Sequence, residues 1–365
     1  MSQTSRPATE SSLKGVEGAQ ADVARAALKA AFGARPIDGI SPVAGGNTTA
    51  LVLKVQVGGR SYLLRVEGEP SPLRNPHQYE SMRIAAETGI APKILHLDEA
   101  ARVVVMDFVE PRPLLGYPGG LHGLAHGLGG LLQRLQASPV FPHFVDYPDI
   151  VGRLFAHVRR TSLFAAGLLD IHAEHLKRVR QTYNEGLERL VSSHNDFHPG
   201  NLLFDGQRLW LVDWESAYRN DPMVDLATLI DSFAFSPEIE GIMVKTWLGD
   251  APDEAFCRRL ATVRALTRLY YAGVFLSGSA ASQTRTAPDT DLSVPTLEGF
   301  KKSVRDRELG ANSPETIHTL GKMYLASFLS GDNVPGFRAV RNGAAMRRCL
   351  IASFAEAAQQ KASWK

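Results

Sequence analysis

The chain has 365 residues, 44% of them hydrophobic and 21% charged, the composition of ordinary globular domains with room for one large core or two smaller ones. Forty basic against 38 acidic side chains leave a net charge of +2, so nothing electrostatic marks out a nucleic acid or a membrane surface as partner. The two cysteines, Cys257 and Cys349, lie far apart and outside any CxxC spacing, which argues against a disulfide scaffold or structural zinc site and for a reducing compartment.

No signal or transit peptide is expected, because MSQTSRPATESSLKGVEGAQ lacks an apolar h-region and Glu10, Glu17 and Asp22 are acidic; a cytoplasmic location is expected instead. Residues 1 to about 18, rich in Ser, Thr, Glu and Gly, read as disordered. ADVARAALKAAFG has helical composition and ends on Gly33, a residue suited to a C-terminal cap. ISPVAGGNTTALVLKVQVGGRSYLLRVEG reads as two strands, 50–57 and 61–66, turning at Gly58 and Gly59, since glycine accepts positive φ without steric cost. PHQYESMRIAAETG is an amphipathic helix with Tyr79, Met82, Ala85 and Ala86 as its apolar positions, and KILHLD and RVVVMDFV follow as a further strand pair. Beyond EPRPLLGYPGG the character changes. Residues 121–137, 149–190 and 252–280 have helical periodicity, interrupted by the strand-like NLLF and LWLVDW, and helical patterns return at 314–330 and 343–360. LYYAGVFLSGSAAS is too short for a membrane span, and no membrane partner is expected. The change near Pro111 to Pro113 divides the chain into three. An extension with one helix covers 1–35, a β-rich lobe 36–112, and a larger, mostly helical lobe 113–365.

The chemistry concentrates in HNDFHPGNLLF, residues 194–204, and in LVDWES, residues 211–216. Moving a phosphoryl group from ATP requires a carboxylate to orient the attacking hydroxyl, and oxygen ligands for the magnesium that bridges the phosphates. Magnesium prefers carboxylate and amide oxygens, and protein kinases meet both needs with H-R-D-x-x-x-x-N followed by a second metal-binding Asp. His194, Asp196 and Asn201 reproduce that spacing and Asp213 ends the following strand. Asp196 is therefore the expected base or hydroxyl orienter, with Asn201 and Asp213 as Mg2+ ligands. His198 either faces substrate or caps the loop. His122 and His126, four apart on a helix, lack a third ligand and read as a solvated helix face rather than a zinc site.

With its continuation NDPMVDLA, this region resembles the aminoglycoside phosphotransferase and choline kinase superfamily, and the choline/ethanolamine kinase branch more than the antibiotic-resistance branch. The likeness runs from about Ile40 to Phe235, and residues 285–365 read as an addition. The resemblance implies an α+β, two-lobe protein-kinase-like fold. It also implies an ATP-dependent phosphotransferase acting on a small-molecule hydroxyl. It places Gly45, Gly46, Asn47 and Thr48 at the phosphate loop, where backbone N–H groups of a glycine-rich turn face phosphate, with Thr49 standing where Asn is usual. Arg65 takes the position of the kinase strand Lys, gripping α/β-phosphate oxygens, with Glu80 on the next helix as its partner. Residues 106–109 become the adenine hinge, and Asp225 a brace for the catalytic loop. Trp214 follows Asp213 where protein kinases have Phe, so no movable activation segment is expected.

The acceptor pocket is the least defined part. Choline kinases carry paired Trp on a helix of the second lobe, and here RALTRLYYAGVFLSG offers Tyr270, Tyr271 and Phe275 instead. Tyr271 and Phe275 share a helix face and either form a cation-binding cage, with Glu215 adding negative charge, or simply pack the core. A small cationic amino alcohol, choline or ethanolamine, is the leading expected acceptor. An aminoglycoside or sugar hydroxyl is the alternative within the enzymes, and a non-catalytic kinase-fold binding protein the alternative outside them.

Overall fold

The computed structural model describes residues 19–43, 50–68, 75–184, 187–234, 236–282, 284, 286–310 and 313–330. They fall into two compact units, one from within Met1–Tyr117 plus Gly200–Tyr218, the other from within Pro118–Pro199 plus Arg219–Ser353.

The first unit is built on a five-stranded antiparallel sheet, β1 (Gly39–Pro42), β2 (Leu51–Val57), β3 (Arg60–Val66), β4 (Ile94–Asp98) and β5 (Val103–Asp107), in the order β1-β2-β3-β5-β4. Gly58 and Gly59 turn the β2–β3 hairpin with φ of 58° and 74°, the left-handed conformation that favours their residue type. Period-two alternation sends Leu53, Val55 and Val57 of β2, and Tyr62, Leu64 and Val66 of β3, to one face. There they pack under helix α1 (Ala19–Phe32), which contributes Ala24, Ala27, Leu28 and Phe32. The same alternation puts Arg65 on the opposite face. Helix α2 (Gln78–Glu87) buries Tyr79, Met82 and Ala85. Its Ser81 hydroxyl and the preceding Asn75 amide both donate to the Ala217 carbonyl, at 2.8 and 2.6 Å, so helix and Gly200–Tyr218 segment are tied within this unit. That segment carries a hairpin, β7 (Leu202–Phe204) against β8 (Leu209–Leu211).

The second unit is mostly helical. Helix α3 (Gly120–Gln136) buries Leu124, Leu128, Leu131, Leu132 and Leu135, the 3.6-residue stripe expected of it. The helical pattern of 149–190 resolves into two helices, α4 (Tyr147–Arg160) and α5 (Asp170–Thr182). Thr161 leaves helical geometry at ψ 160°, and Gly167 turns the chain at φ 82°. Strand β6 (Val191–Ser193) leads into the loop that carries Asp196, and β9 (Tyr218–Asn220), its partner in a two-stranded sheet, leads into α6 (Pro222–Phe233) and α7 (Pro237–Leu248). The 28-residue helix α8 (Glu254–Ala281) is the axis on which α4, α6 and α10 (Pro314–Ser330) pack, with α9 (Leu297–Arg305) on the connecting stretch. Gly321 of α10 permits that approach, since a Cβ there would stand 2.5 Å from Leu276 Cγ. Up to residue 330 the tail expected as an addition is thus an integral layer of this unit, because α8 buries apolar residues over most of its circumference and needs that cover. The expected helix at 343–360 lies outside the described residues. Among the described residues no helix is long and apolar enough to cross a membrane.

Candidate active site

In the first unit the expected metal ligands sit at the two ends of one hairpin. Asn201 precedes β7 and Asp213 follows β8, and the Val212 N–H donates to the Asn201 carbonyl at 3.0 Å. Asn201 is buried, whereas the Asp213 side chain keeps 29% exposure. Asp213 adopts φ 67°, a left-handed conformation that costs a non-glycine residue energy and collects at functional positions. One amide oxygen and one carboxylate on adjoining backbone form a donor set that fits magnesium.

Arg65 completes this cluster. Its Nη2 lies 3.2 Å from Asp213 Oδ1, and its Nε donates to Glu67 Oε1 at 2.6 Å. Burial alone would lower its pKa, but the carboxylates of Asp213, Glu67 and Glu215 outweigh it and raise it. Glu215 therefore belongs with Arg65 in this unit. The expected Arg65–Glu80 pair is corrected: Glu80 is exposed on α2, and Arg65's partner is Glu67. The reason lies in strand geometry, since residues two apart on an extended chain share a face. That i, i+2 relation was present in YLLRVEG and is the signal by which Glu67 was findable. Gly45, Gly46, Asn47 and Thr48 lie outside the described residues.

In the second unit the loop that carries Asp196 is held from behind. Asp225, fully buried on the first turn of α6, accepts the backbone N–H groups of His194 and Asn195, both at 2.7 Å. Burial pushes the Asp225 carboxyl up to about 7, against the pull of those two donors. Asn195 takes φ 62° and its side-chain oxygen accepts from Asn220 Nδ2 at 2.7 Å, which secures the bend that presents Asp196. Asp221, one residue on, caps α6 and is gripped by Arg259.

Asp196 itself is held at both oxygens. The Tyr271 hydroxyl donates to Oδ1 at 2.9 Å, and His198 Nε2 stands 3.2 Å from Oδ2. Burial would raise the Asp196 pKa, but His198, His194 and Tyr271 together bring it below the usual carboxylate value. Around Tyr271 lies an aromatic cluster. Tyr270 meets its edge at 5.5 Å and Tyr324 of α10 lies 5.7 Å away; Phe275 stacks on Tyr324 at 5.7 Å, and Tyr147 of α4 reaches Tyr270 at 5.9 Å. Of the expected acceptor residues, the structure thus brings His198, Tyr271 and Phe275 into one neighbourhood with Asp196, the expected base. Tyr147 and Tyr324 join them from distant stretches of chain, with no motif to announce them.

His122 and His126 bond instead to α7, through Glu238 Oε1 at 2.9 Å and Thr246 Oγ1 at 2.8 Å. Among the described residues no group of three or more His, Cys, Asp or Glu side chains gathers to hold a metal.

Residues 39–269 match the phosphotransferase enzyme family, and the chain belongs to that family. Protein LicA of Haemophilus influenzae is 39% identical over 209 residues, 56% of this chain and 61% of that protein. Thiamine kinase of Escherichia coli is 27% identical over 187 residues, 47% of this chain and 62% of that protein. The chain thus spans less than two thirds of the length of these curated relatives. A choline/ethanolamine kinase family protein from Mesorhizobium loti superposes with a TM-score of 0.61, covering 89% of this chain and 100% of that one at 21% identity. The fold is the protein-kinase-like α+β arrangement read from the sequence.

Proposed function

We propose that the protein is an ATP- and magnesium-dependent phosphotransferase acting on the hydroxyl of a small cationic alcohol, with choline or ethanolamine leading. The observation that carries this reading is the aromatic cluster of Tyr270, Tyr271, Tyr324 and Phe275 built against the Asp196 carboxylate. Aromatic faces attract a substituted ammonium, while the carboxylate accepts the hydroxyl that such a molecule carries a few bonds away. Two named relatives agree in chemistry, since choline, ethanolamine and thiamine all join an alcohol to a positive nitrogen.

In this reading Asp196 orients the acceptor hydroxyl and takes its proton as oxygen bonds to the γ-phosphorus and the bond to ADP breaks. Asn201 and Asp213 would hold magnesium, which would supply positive charge against the phosphate oxygens. Arg65, fixed by Glu67, offers a forked donor to phosphate.

The test is ATP turnover with magnesium against choline, ethanolamine, thiamine, aminoglycosides and neutral sugars, with the phosphomonoester identified by phosphorus NMR. A cationic alcohol should be converted, and Asp196→Asn should lower its turnover by at least about 100-fold. Efficient conversion of neutral sugars with no cationic alcohol touched would overturn the acceptor class. Nucleotide binding without any transfer would favour a binding protein.

A further inference from the structure

The Asp196 carboxylate is met from two directions, by His198 of its own loop at Oδ2 and by Tyr271 of a separate helix at Oδ1. The backbone on its N-terminal side is anchored through Asp225, yet the Asp196 side chain is 28% exposed. Its contact at Oδ2, His198, is two residues away on the same loop and is itself 39% exposed. The Oδ1 contact is of another kind. Tyr271 comes from α8, where the next two residues, Ala272 and Gly273, are buried, and its ring is set between Tyr270 and Tyr324.

We propose that the Tyr271 hydroxyl is a positioning group for catalysis, holding the Asp196 carboxylate at Oδ1 so that the other lone pairs face the acceptor. This inference rests on the phosphotransferase reading above. It gives Tyr271 two separable parts: the ring belongs to the aromatic cluster, and the hydroxyl belongs to the base.

The phenol suits this task. Burial, and then the Asp196 charge, raise its pKa well above that of an ordinary tyrosine, so it stays a donor throughout the working range and does not compete for the proton that Asp196 takes up. The ionisable groups facing Asp196 are His194 and His198 on its own loop, Asp225 on α6, Tyr271 on α8 and Tyr324 on α10. Of these, His198, His194 and Tyr271 favour the carboxylate. Removing the phenol leaves burial in place with one opponent fewer, so the Asp196 pKa rises.

Tyr271→Phe keeps the ring and deletes the hydroxyl. The expected result is a kcat lowered by about tenfold, with KM for ATP and for the acceptor within about twofold of wild type, the signature of an interaction used in the transition state. The acid limb of the pH–rate profile should move to higher pH, and thermal unfolding should show an intact fold. An unchanged kcat and acid limb would overturn the proposal. So would a rise in acceptor KM alone, which would assign the hydroxyl to the substrate, or a rise in kcat/KM, which would make Tyr271 an obstruction. Carbon-13 NMR titration of the aspartate carboxyls, with Asp196 assigned by its loss in Asp196→Asn, separates this idea from the functional one. If wild type phosphorylates no acceptor, the functional reading fails, yet the Asp196 titration must still move up in Tyr271→Phe for the positioning contact to stand.

Discussion

The contact between Asp221 and Arg259 tests how the loop that carries Asp196 is kept in place. Asp221 is fully buried, accepts the Met223 N–H at 2.9 Å as the N-cap of α6, and receives Arg259 at both oxygens, 3.1 and 2.7 Å. Arg259 is itself only 10% exposed. Asp221→Ala removes one member of a buried ion pair, which costs about 3–5 kcal/mol, and an N-cap, which costs about 1 kcal/mol. A loss of roughly 4–6 kcal/mol is a large part of the 5–15 kcal/mol of a typical native state. Asp221→Asn keeps a capping oxygen and should lose about 1 kcal/mol less. Urea unfolding measures both, as a fall in midpoint at unchanged m-value. The double variant Asp221→Asn with Arg259→Met should regain much of the loss, because neither charge is then left buried alone. Strict additivity in that cycle, or an Asp221→Asn variant as stable as wild type, would refute the idea that this pair braces α6 and, through Asp225, the His194–Asn195 turn.

Two further outcomes follow from particular contacts. Glu67→Gln should raise KM for ATP more than KM for the acceptor, since Glu67 holds Arg65 at 2.6 Å, whereas Glu80→Gln should leave both near wild type in steady-state kinetics. Asp289 accepts from His318 Nε2 at 2.9 Å, the Asp291 N–H at 2.9 Å and Lys322 Nζ at 3.1 Å; burial opposes these donors, but together they hold its pKa down to about 2. A depressed folded-state pKa gives stability that is present above the unfolded value of 3.8 and disappears as pH falls towards 2. Asp289→Asn should therefore be less stable than wild type in unfolding at pH 7, with the gap closing between about pH 4 and pH 2.

The sequence carried what depends on short-range spacing and lost what depends on which distant segments meet. Strands β2 and β3 were legible because alternation and a Gly-Gly turn are local properties, and Asp196, Asn201 and Asp213 stood out as candidates because they fall within 18 residues of sequence. Glu80 was misplaced because the expectation came from the family and overrode a nearer candidate: the extended strand had already set Glu67 beside Arg65.

The aromatic cluster shows the same limit from the other side. Helical spacing put Tyr271 and Phe275 on one face and stopped there, because no pattern within α8 says what that face meets. The answer comes from α10, more than forty residues on. Its Gly321 lets the helix close on Leu276, and Tyr324, one turn nearer the C-terminus, then reaches both Tyr271 and Phe275. The Asp289–His318–Lys322 contact joins the preceding connection to the same helix. A stretch that read as an appendage therefore supplies a wall to the cluster beside Asp196, and two features of α10, a glycine where backbones approach and an aromatic three residues later, determine that it can.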